Sequence, residues 1–155
     1  MIEYIAQQPL VEDQPHIVAA VLPAAGAYTA NPAQQIPHGS DDLSIVFAYA
    51  KGLAAATGAF KAQVWWYLQG EEDQPVQHCF LDAAGATIGA DTAIVGAYQE
   101  ELQFEPLAVA GTIRRMVVVR VPAGAVQVRV VAAETGEVGQ PGTLGCRLVA
   151  RKRFC

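Results

Sequence analysis

Serine occurs only at Ser40 and Ser44. Neither lies in Gly-x-Ser-x-Gly or Ser-x-x-Lys, so no nucleophile with a positioned base is visible. The run His38-Gly39-Ser40-Asp41-Asp42 gathers an imidazole, a hydroxyl and two carboxylates, the groups of general acid–base catalysis or of a metal site. The same short polar residues ahead of an apolar alternation are also turn chemistry, because they bond their own backbone, and a turn is the expected role. His16, His38 and His78 never recur as His-x-His or His-x-x-x-His, so a zinc or iron site would need folding to assemble it. Glu71-Glu72-Asp73 lacks the Asp-x-Asp-x-Asp spacing of a calcium loop and reads as a solvated turn. Gly136, Gly139, Gly142 and Gly145 follow a strand without opening a helix, which excludes a phosphate loop. The expectation is a protein that is not an enzyme and takes no metal or cofactor. The rival is an enzyme using His38 with Asp41 or Asp42.

Side chains suited to binding are easier to find. If Trp66 is core, a period of two puts Trp65 and Tyr67 side by side on the opposite face, where large aromatics need a cover. That cover is a sugar ring stacked on them, another protein chain, or this chain's own arm. Arg147, Arg151 and Arg153 place a basic face on the last strand, and with Lys152 they form a C-terminal basic cluster. Phosphate would suit it, but the net charge is −5 and no nucleic-acid motif accompanies it, so protein carboxylates are the expected counterpart. The interface candidates are Tyr4, Trp65, Tyr67, Arg147, Arg151 and Arg153.

The elements that position these residues are strands. Leu43, Ile45, Phe47 and Tyr49 alternate with Ser44, Val46 and Ala48, and Phe60, Ala62, Val64, Trp66 and Leu68 alternate with Lys61, Gln63, Trp65 and Tyr67. Val76 to Asp82 predicts a further strand, Asp82 to Gly85 a turn, and Ala86 to Ile88 the strand after it. Leu102 and Phe104 point inward until Pro106 stops the ladder. Thr112 to Val121 holds Met116-Val117-Val118-Val119, a run apolar enough to predict burial on both faces. Val126, Val128 and Val130 form the inward set of the next strand, and Leu144, Cys146, Leu148 and Ala150 that of the last. Between Lys51 and Ala59 one helical turn is predicted. Eight or nine strands with almost no helix predict an all-β antiparallel sandwich, jelly-roll-like, over residues 17–155. Residues 1–16 have little periodicity and read as an extended N-terminal arm.

A hydrophobic share of 52% fills one core and excludes a disordered chain, while only 16% charge leaves a weakly charged surface suited to burial against neighbours. Up to Ala110 the only basic residues are Lys51 and Lys61, and after it only Glu134 and Glu137 oppose eight arginines and lysines. That asymmetry predicts complementarity within or between subunits. The opening Met1-Ile2-Glu3-Tyr4 has neither the basic stretch nor the apolar run of a secretory leader, and no membrane span is expected. Cys79, Cys146 and Cys155 are odd in number and irregular in spacing, so reduced thiols are expected.

The strand Leu43 to Tyr49 ending in Tyr49-Ala50-Lys51-Gly52, the Val121-Pro122-Ala123-Gly124-Ala125 hairpin and the Pro141-Gly142-Thr143-Leu144 entry to the last strand resemble the small β-sandwich structural proteins of tailed-bacteriophage virions, above all capsid decoration (cement) proteins. The resemblance implies an oligomeric accessory protein of the virion, made in the bacterial host cytoplasm, docking on a major capsid or tail protein. A tail or baseplate protein and a carbohydrate-binding or adhesin module are the alternatives.

Overall fold

The structure is a computed structural model and describes residues 4–9, 15–81, 98–99 and 101–154. Its strands are β1 (Tyr4–Pro9), β2 (Ile17–Val21), β3 (Gln34–Gln35), β4 (Asp42–Ala50), β5 (Phe60–Leu68), β6 (Val76–Gln77), β7 (Phe80–Leu81), β8 (Tyr98–Gln99), β9 (Leu102–Gln103), β10 (Thr112–Arg120), β11 (Ala125–Glu134) and β12 (Thr143–Phe154). The twelve strands among the described residues exceed the expected eight or nine because β1 lies in the expected arm, the strand from Val76 splits into β6 and β7, and β3 and β8 are two-residue pairings too short to show a period.

The strands build two antiparallel sheets, and all-β with an antiparallel sandwich is the fold. Sheet A runs β1-β12-β4-β10, with β2 also on β12; sheet B runs β3-β11-β5-β6, with β9 on β5. A separate ladder joins β7 and β8. The chain changes between the two sheets from β2 to β3, β3 to β4, β4 to β5, β9 to β10, β10 to β11 and β11 to β12. Each apolar alternation therefore faces one contributed by the opposite sheet.

Leu43, Ile45, Phe47 and Tyr49 of β4 are buried, as are Phe60, Ala62, Val64 and Trp66 of β5, while Leu68 at the end of the expected β5 set is half-buried against the core. Leu144, Cys146, Leu148 and Ala150 of β12 and Val128 and Val130 of β11 join the core, whereas Val126 of the expected β11 set is half-buried beside the register shift between Ala125 and Gln127. Phe104 stacks on Phe60 at 4.2 Å between ring centroids and meets Phe47 edge-on at 5.1 Å. Offset and edge contacts of this kind add to the area these rings bury.

Several expectations are corrected. β10 is the outermost strand of its sheet rather than doubly buried: Met116 is 65% and Val118 45% exposed, while Val119 on the inner face is 5% exposed. An apolar run reports affinity for a non-aqueous surface but not which neighbour supplies it. The predicted helical turn is a β-turn, in which the Ala55 N–H donates to the Gly52 carbonyl at 3.0 Å. The strand from Val76 breaks at His78 and Cys79 into β6 and β7. There the His78 N–H donates to the Val64 carbonyl. The Asp82 to Gly85 turn, Ala86 to Ile88 and Cys155 lie outside the described residues. Within the expected arm, Tyr4–Pro9 pairs antiparallel with Val149 to Phe154 of β12.

Candidate functional site: an aromatic cleft and a basic face

The outer face of sheet B carries Trp65 and Tyr67 where the alternation of β5 puts them. Both are half-buried, and they line a cleft of about 290 Å³ with Tyr28, Gln63, Pro75, Arg129 and Val131. Arg129 is the cross-strand neighbour of Trp65. A closed polar network floors the cleft. The Trp65 indole donates to Gln63 Oε1 at 3.1 Å, and the Gln63 amide donates to the Tyr28 hydroxyl at 3.1 Å and to Glu101 Oε1 at 3.0 Å. Tyr28 donates to that same Glu101 oxygen, and Lys61 Nζ pairs with Glu101 Oε2 at 3.1 Å.

Electrostatics holds this network in one protonation state. Burial lifts the Tyr28 hydroxyl, and the Glu101 carboxylate it bonds lifts it further. For Glu101 burial acts upward, but the bonds from Tyr28, Lys61 and Gln63 outweigh it and hold the carboxyl below its ordinary value. For Lys61 burial acts downward and is outweighed by Tyr28 and Glu101, so the ammonium is strengthened. Glu101 stays anionic and Lys61 cationic, which leaves the aromatic walls preformed. The sequence reading found Trp65 and Tyr67 but missed Tyr28 and Glu101, which lie far apart in the chain and carry no periodic signal.

The second site is the outer face of sheet A. Register across β12, β4 and β10 sets four rows: Gly145, Ala48 and Arg114; Arg147, Val46 and Met116; Val149, Ser44 and Val118; Arg151, Asp42 and Arg120. The central rows hold Val46, Met116, Val118 and Val149 around Ser44, and guanidiniums stand at three corners, Arg114, Arg120 and Arg151, with Arg147 on the β12 margin. Arg151 pairs with Asp42 at 3.4 Å, while among the described residues Arg114, Arg120 and Arg147 have no ion pair and are exposed. Arg147 and Arg151 thus share the predicted basic face. Arg114, Arg120 and Met116 join it through a strand pairing that no local pattern encodes. The side chains of Tyr4 and Arg153 lie outside the described ones.

The His38 run forms a turn: Ser40 Oγ donates to the Pro37 carbonyl at 2.6 Å and the Asp41 N–H to the Arg151 carbonyl at 2.8 Å. It borders a cavity of about 600 Å³ shared with Pro122 to Gly124. Among the described residues no three His, Cys, Asp or Glu side chains converge as a metal site. Cys79 is exposed and Cys146 is buried, and both are free; burial pushes the Cys146 thiol far up and makes it inert. His78 is half-buried against Phe80, and its Nδ1 accepts the Trp66 indole N–H at 3.0 Å.

No family model and no curated protein matches the sequence. Solved structures it matches include infectious bursal disease virus, Gx strain, at 9% identity over 97% of this chain and 33% of that one, TM-score 0.47. Two more are the Gt strain at 8% identity over 97% and 32%, TM-score 0.41, and the VP2 subviral particle of the same virus at 9% over 96% and 32%, TM-score 0.37. The chain spans about a third of the length of each. Values this low transfer neither function nor partner.

Proposed function

We propose that this chain is a non-enzymatic structural protein of a virion, a capsid decoration (cement) protein that stabilises the shell through protein–protein contacts. The observation that carries the reading is the outer face of sheet A, with an apolar Val46, Met116, Val118 and Val149 centre rimmed by Arg114, Arg120 and Arg147. Interfaces favour methionine and arginine over lysine, and an exposed Met116 between unpaired guanidiniums has no evident use in an isolated molecule. A homo-oligomer or a lattice-bound protein follows, with a major capsid or tail protein as its partner and the virion surface as its place.

The test is fractionation. Particles from cells that carry the coding sequence are banded on a density gradient and probed for the chain. Presence in the particle band, together with particles that assemble without the chain but burst at lower temperature, supports a cement protein. Finding the chain only in the soluble fraction overturns it.

The aromatic cleft favours a second reading, a carbohydrate-binding module in which Trp65, Tyr67 and Tyr28 stack on a sugar ring. A glycan array with binding lost in Trp65→Ala supports it; no hit across the array removes it.

A further inference from the structure

We infer that the open edge of β10 is a strand-addition site for an extended, acidic segment of a partner protein, an inference that rests on the decoration reading and names its contact. Among the described residues β10 pairs with β4 alone. The Val121 N–H donates to the Asp41 carbonyl at 2.9 Å, which fixes the alternation of the ladder. Odd-numbered residues of β10 therefore bond β4, and the N–H and C=O groups of Thr112, Arg114, Met116, Val118 and Arg120 point to the open side, where the Arg114 carbonyl accepts from Arg115 Nη1 at 3.0 Å, a contact an incoming strand would displace. A row of such groups is a template for another strand.

The surroundings suit an incoming chain on both of its faces. Toward the sandwich interior, a groove of about 460 Å³ runs beside β10, floored by Leu102, Phe104 and Val117 and flanked by Arg115 and Glu105. Toward solvent stand exposed Met116 and Val118 with Arg114 and Arg120 at the two ends. A strand added here sends alternate side chains to these two sides. Apolar residues fill the groove, and aspartate or glutamate on the other face meets Arg114 and Arg120.

Charge identifies the occupant. A second copy pairing through its own β10 would bring two sets of Arg114, Arg115 and Arg120 along one ladder, where like charges destabilise. The acidic run Glu71-Glu72-Asp73 of a second copy is also unsuitable. It is held in turns by the Glu71 N–H to the Leu68 carbonyl and the Gln74 N–H to the Glu71 carbonyl, and has no extended backbone to offer. The arginines thus disfavour β10-to-β10 pairing at this edge and select an acidic strand there.

The experiment uses the full chain and particles stripped of it, with amide hydrogen exchange read on the chain free and particle-bound. The amides of Arg114, Met116, Val118 and Arg120 are expected to exchange freely in the free chain and to slow at least tenfold on the particle. Met116→Pro removes one outward donor while leaving the β4 pairs intact, and is expected to weaken particle binding at least tenfold. The double variant Arg114→Glu/Arg120→Glu keeps every backbone group and is expected to do the same, with unchanged circular dichroism for both as the folding control. Wild-type binding that survives in both variants overturns the strand-addition site and leaves the decoration reading standing. No wild-type binding to the particle overturns the decoration reading itself. A free-chain dimer abolished by Met116→Pro makes the occupant a second copy and likewise overturns the proposal.

Discussion

Glu134 is 2% exposed, and its carboxylate accepts from the Tyr49 hydroxyl at 2.7 Å, the Ala59 N–H at 2.9 Å, the Gly136 N–H at 3.1 Å and the Gly142 N–H at 2.7 Å. One side chain thus ties β11 to β4, to the entry of β5 and to the approach to β12. Glu134→Ala strands these donors in the core, and a loss of about 3–5 kcal/mol is expected from urea unfolding. Gly142 is part of the same arrangement, since a Cβ there would meet the Ala50 carbonyl and lie 2.6 Å from the Tyr49 ring. Gly142→Ala is expected to cost about 2 kcal/mol by the same measurement. His16 is buried and His78 half-buried. His16 Nε2 accepts the Val130 N–H at 2.8 Å, as His78 Nδ1 accepts from Trp66. Burial lowers both imidazoles, so the folded chain prefers them neutral. Their contribution is present above the unfolded value near 6.5 and is lost as pH falls below it. The urea midpoint is expected to be flat from about pH 8 to 7 and to fall toward pH 5, with a shallower fall in the double variant His16→Gln/His78→Gln.

At the scale of elements, the two margins of sheet A are handled differently. On the β12 side, β2 covers Thr143 to Cys146 and β1 covers Val149 to Phe154, so one long strand is sheltered by two short ones. On the other side β10 is sheltered by no described strand. Removing residues 1–14 should expose the backbone of the last six residues before Cys155 as a fresh edge. The expected outcome, read by light scattering, is a steeper rise in mass with concentration for the truncated chain than for the full chain. A truncated chain of unchanged mass would mean that Arg151 and its neighbours protect that edge unaided.

For the whole molecule, the pairings that close the sandwich join distant parts of the chain. Tyr4 pairs with Phe154, and β4 pairs with β12 across about a hundred residues. Loop-closure entropy must be met before such contacts stabilise anything, so refolding followed by tryptophan fluorescence is expected on a scale of roughly milliseconds to seconds. The indoles of Trp66, buried between the sheets, and of half-buried Trp65 are the reporters. Refolding complete within microseconds would contradict this topology. Net charge is −5, yet the outer face of sheet A gathers unpaired arginines, so the molecule is polar in its charge as well as in its sequence.

What the chain's text determined by itself is the strand class and the inward faces of β4, β5 and β12. A period of two in Leu43 to Tyr49, in Phe60 to Trp66 and in Leu144 to Ala150 survives any arrangement of neighbours. The side-by-side placement of Trp65 and Tyr67 and the shared face of Arg147 and Arg151 follow from the same local geometry. Only the tertiary structure decided which strand stands at an edge, and so turned Met116 and Val118 from expected core into exposed surface. It also decided that Tyr28 meets Glu101, that Arg114 and Arg120 share a face with Arg147, and that the carboxylate of Glu134 is buried and accepts four hydrogen bonds. Side-chain alternation is a property of one strand and is written locally. Strand neighbours and buried polar contacts depend on closing long loops, for which a single sequence has no local signature.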